Sequence, residues 1–253
     1  MKRLEILFSP AEFAALKERN LSQTVCVVFD VLRATTTMIT ALANGAKAII
    51  PVSEISEALA IRQRQPEVLL AGERSGLLIR ADLTGSVDFD LGNSPREFAP
   101  DKVTGKTIVI TTTNGTRALR ACAKTKATLA CSFANLTATA DFIGGLDPGE
   151  LLLVCAGTHE EAAYEDTLAA GALSDLLWSG FSSASVADSA QIARQIYLSA
   201  RDNLLAAVQQ HSRNARRLLA IPDLSDDVSF CFRRDNCPLL AHMQSDGAIV
   251  RKQ

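Results

Sequence analysis

The stretch Val25–Thr37, VCVVFDVLRATTT, runs a β-branched segment straight into an acid, an arginine and three threonines. Such a strand would carry Asp30 and Arg33 to the carboxyl edge of a sheet, where open α/β folds bind their ligands. An acid and an arginine three residues apart suit a metal ion and a phosphate held side by side.

Four further segments carry groups of the same kind. Thr111–Thr116, TTTNGT, crowds four hydroxyls and an amide around Gly115 at an expected strand-to-helix turn. One capping residue suffices for such a turn, so the surplus donors point to an oxyanion. The segment lacks the GxxxxGK[ST] spacing of a phosphate-binding P-loop, and the chain contains no GxGxxG. Leu70–Gly76, LAGERSG, brings out Glu73 and Arg74 together after a glycine. Phe89–Pro95, FDLGNSP, reads as a turn in which Asn93 and Ser94 supply hydrogen bonds and Pro95 opens a helix. Val154–Gly171, VCAGTHEEAAYEDTLAAG, sets Glu165 and Asp166 just before a helix of small residues. Acids at a helix start also complement its dipole.

The elements that must position these groups alternate. Strands are expected at 5–8, 25–29, 48–52, 68–71, 107–111, 128–132 and 151–155. Helices are expected at 10–19, 36–44, 55–63, 115–123, 136–144, 167–179 and 189–200. That rhythm is the signature of an α/β fold with a mostly parallel or mixed sheet covered on both faces. VCVVFDVLRATTTMITAL and GKTIVITTTNGTRALRAC share one plan, strand, threonines, helix, and each is followed by a small strand, so the chain carries a candidate internal βαβ duplication. Parallel strands share a direction, which would put both threonine loops on one side of the sheet. Towards the end, DNLLAAVQQHSRNARRLLA reads as helix with a solvated basic face.

Composition excludes several classes. The 253 residues are 47% hydrophobic and no linker-like segment divides them, so residues 1–253 are read as a single α/β domain. A net charge of −2 argues against nucleic acid as a partner. No apolar run is long enough for a membrane span. The six cysteines are scattered and read as buried, reduced thiols of a cytoplasmic protein; only Cys155 lies beside a candidate site. The three histidines are too far apart in sequence to suggest a zinc site. The Trp178–Phe181 region reads equally as core or as a homodimer interface.

DVLRATTT, GER-x-G, FDLGNSP, TTTNGT and EDTLAAG occur in order across residues 25–171, and together they resemble the 2-phosphosulfolactate phosphatase family of magnesium-dependent acid phosphatases. The terminal DVSFC resembles that family's last segment. The resemblance implies a three-layer α/β/α fold and Mg²⁺-dependent hydrolysis of 2-phosphosulfolactate, a small anionic phosphoester of coenzyme M biosynthesis. On that reading Asp30, Glu73 and Asp166 would hold Mg²⁺, Arg33 would grip the phosphoryl group, and Glu165 would activate the attacking water. Direct attack by Asp30 is the alternative. Thr35, Thr36, Thr113, Asn114, Gly115 and Thr116 would donate hydrogen bonds to the phosphoryl group, and Arg74, Asn93 and Ser94 would meet the carboxylate and sulfonate. The segment LLIRADLTGSVD after Gly76 is longer than expected of the family, which leaves open a phosphatase for another 2-phosphorylated carboxylic acid. A non-catalytic phospho-metabolite-binding protein is the reading from another class.

Overall fold

A computed structural model describes residues 3–146, 148–182 and 185–252. Ten strands are described: β1 (Leu4–Leu7), β2 (Thr24–Phe29), β3 (Ala48–Pro51), β4 (Leu69–Arg74), β5 (Leu77–Leu78), β6 (Thr107–Thr111), β7 (Ala127–Cys131), β8 (Glu150–Cys155), β9 (Leu240–Met243) and β10 (Ile249–Lys252). They form one mixed sheet in the order β1-β8-β2-β7-β9-β10-β3-β6-β4-β5. The helices between them are α1 (Pro10–Ala14), α2 (Ala34–Ala43), α3 (Ile55–Arg64), α4 (Ala81–Thr84), α5 (Pro100–Val103) and α6 (Gly115–Ala121). They continue as α7 (Leu136–Leu146), α8 (Tyr164–Leu177), α9 (Asp188–Ala200), α10 (Leu204–His211), α11 (Arg213–Leu219) and α12 (Ser225–Cys231). The architecture is α/β, consistent with three layers.

Strand β2 is buried along its whole length, as its unbroken run TVCVVF requires of a strand covered on both faces. Alternate residues feed two cores. Val25, Val27 and Phe29 pack with α7, α8 and α9, while Cys26 and Val28 pack with α2 and α6. The expected strands all form, most to within a residue, while β4 runs three residues further than expected, to Arg74. The hairpin β9–β10 is unanticipated, and it interrupts the sheet: β7 pairs β9, β9 pairs β10 and β10 pairs β3, all antiparallel. The basic tail is two helices, α10 and α11, parted at Ser212, whose hydroxyl caps α11 by accepting from Ala215 N.

The two similar segments fold as interlocked units. β2–α2–β3 and β6–α6–β7 exchange neighbours, β2 pairing β7 and β3 pairing β6, both parallel. Three antiparallel steps separate β2 from β6, so by ladder direction the two strands oppose each other. The expectation of a shared direction is therefore wrong, yet the two loops still meet. The two loops meet at Gly115, which lies against Asp30 and Ala34.

Each unit closes its loop in the same way. Thr35 Oγ1 accepts from Asp30 N (3.0 Å) and donates to Asp30 O (3.0 Å). Thr116 Oγ1 does the same with Thr112 N and O, at 3.4 and 3.2 Å. Gly115 then starts α6 directly against the start of α2. A Cβ on Gly115 would overlap the Asp30 carboxylate and come within 2.7 Å of Ala34 Cβ.

Helix α8 is seated by a second close approach. A Cβ on Gly171 would run into the Ala193 carbonyl and lie 2.9 Å from Tyr197 Cβ on α9. Glycine inside a helix ordinarily costs about 0.5–1 kcal/mol relative to alanine, so alanine would normally stabilise. Here the sign reverses: Gly171→Ala is expected to destabilise by about 1–3 kcal/mol through overpacking, read as a fall of several degrees in Tm. A rise in Tm would show that α8 and α9 do not touch as described.

Candidate active site

Where the β2–α2, β4–β5, β6–α6 and β8–α8 loops converge, they enclose a cavity of about 230 Å³, closed on one side by α11. Asp30, Arg33, Glu73, Arg74, Asn93, Thr113 and Asn114 line it, as do His159, Asn214 and Arg217. Eight of these come from the motifs that sequence singles out, and Asn214 and Arg217 do not.

Two carboxylates face this space, with different freedom. Glu73, at the end of β4, accepts from Thr113 N and Oγ1 (both 2.8 Å) and from Gly76 N (2.6 Å), so it ties the β4–β5 turn to the β6–α6 loop. Asp30 accepts from Ala34 N through Oδ1 (3.0 Å), and its Oδ2 has no hydrogen-bond partner among the described residues. Burial, with Glu73 and Glu165 nearby, raises the Asp30 pKa from the usual 3.8 to about 7.

The other acids are structural ties. Asp166 was expected at the metal, but its carboxylate bridges two loops away from the cavity wall, accepting from Val31 N (2.8 Å) and Gly157 N (3.1 Å). Burial pushes its pKa well up. Glu165, expected to activate water, is likewise buried and does not line the cavity. Its two oxygens accept from Ser212 Oγ (2.7 Å) and Asn214 Nδ2 (3.3 Å), so it anchors the start of α11. Among the described residues no three His, Cys, Asp or Glu side chains gather as a metal site. The trio Asp30, Glu73 and Asp166 is accordingly not assembled.

A different oxygen set does fit a hard cation. Asn93 and Asn114 line the same cavity, and the Oδ1 atom of each is buried and receives no hydrogen bond among the described residues. Asn114 is oriented by its Nδ2, which donates to the His159 carbonyl (2.8 Å). Unpartnered buried amide oxygens are costly, and a cation would satisfy them. Mg²⁺ takes oxygen ligands and commonly only one or two carboxylates, filling its shell with water and phosphate oxygens. Asp30 Oδ2 with the two amides matches that demand.

The hydroxyls divide in the same way. Thr35, Thr36 and Thr116 do not line the cavity; their hydroxyls donate to backbone carbonyls of Asp30, Val31 and Thr112. Their row shapes the helix starts, because hydroxyls bond local backbone readily. Gly115 too lies behind Asp30 rather than on the wall. Thr113 and Asn114 do reach it. Ser94 donates instead to Asp227 Oδ1 (2.7 Å).

Three arginines reach the cavity. Arg33, 3% exposed, spends Nη1 on Asp227 (2.8 Å) and Nη2 on the Gly76 carbonyl (2.6 Å). Arg74 donates to the carbonyls of Glu73 and Ser53 and to Thr111 Oγ1. Arg217, from α11, is exposed and donates to Asn214 Oδ1 (2.7 Å). Sequence reasoning missed Arg217, Asn214, His159 and Asp227. The clue for the first two was Asn214 and Arg217 three apart on one helix face, inside a basic stretch read as solvated.

A family model described as 2-phosphosulpholactate phosphatase matches residues 12–246. The chain belongs to this family. A relative from Thermotoga petrophila is 40% identical over 209 residues, 83% of this chain and 84% of its own length. One from Caldanaerobacter subterraneus is 35% identical over 243 residues, covering 94% and 95%, and one from Symbiobacterium thermophilum is 35% identical over 235, covering 91% and 95%. All three are named "Probable 2-phosphosulfolactate phosphatase". The match extends past α11 and α12, so the family segment includes the missed Arg217 and Asp227.

Asp227 is fully buried and gathers Arg33, Ser94 and Arg96, the last at 2.8 Å from its Nε. Removing its charge strands the buried Arg33 guanidinium, and breaking such a pair typically costs 3–5 kcal/mol. Asp227→Asn is expected to lose about 3 kcal/mol in urea unfolding. A loss under about 1 kcal/mol would mean that Arg33 does not depend on Asp227.

Proposed function

We propose that this protein is a Mg²⁺-dependent phosphatase that hydrolyses 2-phosphosulfolactate to sulfolactate and inorganic phosphate, the step that serves coenzyme M synthesis. The observation that carries the reading is the cavity itself. A free carboxylate oxygen and two donorless amide oxygens share it with three arginines, in a member of this family.

Asp30, Asn93 and Asn114 would hold the ion, which when bound would offset charge on the phosphoryl oxygens and fix their orientation. The chain's own contribution is positional, as phosphoryl transfer demands. Arg33 lines the cavity where it would meet the phosphoryl oxygens, while the Thr113 hydroxyl and amide are both spent on Glu73. Glu73 holds the Thr113 loop and the Gly76 turn in register with each other. The arginines compensate an alcohol that itself carries a carboxylate and a sulfonate. Glu165 would not activate the attacking water, because Ser212 and Asn214 hold its carboxylate away from the cavity.

Chelation is expected to abolish phosphate release and Mg²⁺ to restore it; full activity in excess EDTA would remove the metal from the account. Asp30 also makes metal binding pH-dependent. Its pKa in the metal-free fold is about 7 against an ordinary 3.8, so the proton is favoured by the fold. The stability it contributes is complete below about pH 4 and is lost as pH rises to about 7. Mg²⁺ must displace that proton. The ion should therefore raise Tm more at pH 8 than at pH 5.5, and Asp30→Asn should abolish the difference. An equal shift at both pH values in the unaltered protein would take Asp30 out of the metal site.

Substrate selection tests the reaction itself. Phosphosulfolactate should exceed phospholactate and phosphoglycolate by about one to two orders of magnitude in kcat/KM, since each missing anion leaves buried donors unpaired at about 1–3 kcal/mol. If phospholactate is equal or better, the chain is a general phosphatase of 2-phosphorylated acids. No phosphate release from any phosphoester would favour a binding protein.

A further inference from the structure

Of the three cavity arginines, Arg217 has the least claim on its guanidinium. Arg33 is neutralised by Asp227 and holds the Gly76 carbonyl, and Arg74 is spread over three oxygens. Arg217 makes one side-chain bond, to the neutral Asn214 Oδ1, and no carboxylate lies within ion-pair distance of it among the described residues. It is exposed, yet it reaches across the cavity mouth, because a Cβ on Gly76 would meet its Nη2 at 3.5 Å. Arg217 and Arg33 thus flank the same turn residue from two sides.

The cation is aimed by a buried relay. Asn214 accepts from Arg217 with its oxygen and donates with its nitrogen to the Leu32 carbonyl and to Glu165 Oε1. Glu165 also takes the hydroxyl of Ser212, the cap of α11. A buried carboxylate on α8 therefore fixes where α11 begins, and so where Arg217 stands relative to the loop that carries Arg33.

We infer that Arg217 binds an anionic group of the alcohol portion of the substrate, its sulfonate or carboxylate rather than its phosphoryl group, and that Glu165 is the positioning residue for it. The inference rests on the phosphatase reading above. An arginine with free donors is a bidentate partner for either group. The phosphoryl group would have Arg33 and the ion held by Asp30, Asn93 and Asn114, while among the described cavity-lining residues Arg217 is the arginine left for the alcohol's two anions.

The test separates the two halves of the substrate. Sulfolactate and inorganic phosphate are each titrated as ligands, in Mg²⁺, against unaltered protein, Arg217→Gln and Glu165→Gln. Arg217→Gln should weaken sulfolactate at least tenfold and change phosphate less than about twofold. In turnover, Arg217→Gln should cost phosphosulfolactate at least ten times more in kcat/KM than it costs a phosphoester whose alcohol carries neither anion. Arg217→Lys should recover part of that loss. Glu165→Gln should weaken sulfolactate selectively in the same direction, and the double variant should be no worse than Arg217→Gln alone. A purely structural Glu165 would instead lower Tm and weaken both ligands alike.

Equal losses for sulfolactate and phosphate would reassign Arg217 to the phosphoryl group, and no loss for either would remove it from the site; both results overturn the inference while the phosphatase reading stands. Unaltered protein that releases no phosphate from phosphosulfolactate and binds no sulfolactate overturns that reading, and this inference with it.

Discussion

The structure turns on the contact between Gly115 and Asp30. Two helices begin there, α2 and α6, from strands whose ladder directions oppose, and no side chain fits between them. Their closeness leaves Asp30 nearly buried with one oxygen bonded to the α2 backbone and the other free. The hydroxyl locks of Thr35 and Thr116 close the two loops that make this contact. A bulkier residue at 115 would displace the carboxylate and the loop that carries Asn114 together.

Around this contact the protein uses buried acids chiefly as fasteners. Asp166 joins the β2–α2 loop to the β8–α8 loop, Glu165 fixes α11, Glu73 joins two turns, and Asp227 brings α12 to Arg33, Ser94 and Arg96. Each accepts at least two hydrogen bonds, which is the condition for burying a carboxylate at tolerable cost. Asp30 alone among them keeps an oxygen unspent. Among the described cavity-lining residues, the groups with unsatisfied capacity include Asp30 Oδ2, the amide oxygens of Asn93 and Asn114, and the guanidinium of Arg217.

Much of this was legible in the sequence because it is local. The strand run TVCVVF, the helix after ATTT, and the segments containing Glu73, Asn93 and Thr113 are each set by neighbours within a few residues, and they come together as expected. What stayed hidden depends on long-range geometry. The row of threonines looked like an anion cradle, since a hydroxyl that locks a helix start and one that meets a ligand are the same residue type. Asp166 reads as a metal ligand and Glu165 as a water-activating base for the same reason. Arg217 and Asp227 lie beyond the motifs of residues 25–171, and only the packing of α11 and α12 brings them to the loops that carry Arg33. The hairpin β9–β10 has short strands in a polar surround, too weak a pattern to announce itself.

One acid and two amides, rather than three acids, would form the working oxygen set. Crystals soaked in Mn²⁺ and measured for anomalous scattering test this most directly. A peak is expected within coordination distance of Asp30 Oδ2, Asn93 Oδ1 and Asn114 Oδ1, with the Asp166 carboxylate still bonded to the Val31 and Gly157 amides. An ion coordinated by Asp166, with those two bonds broken, would contradict it.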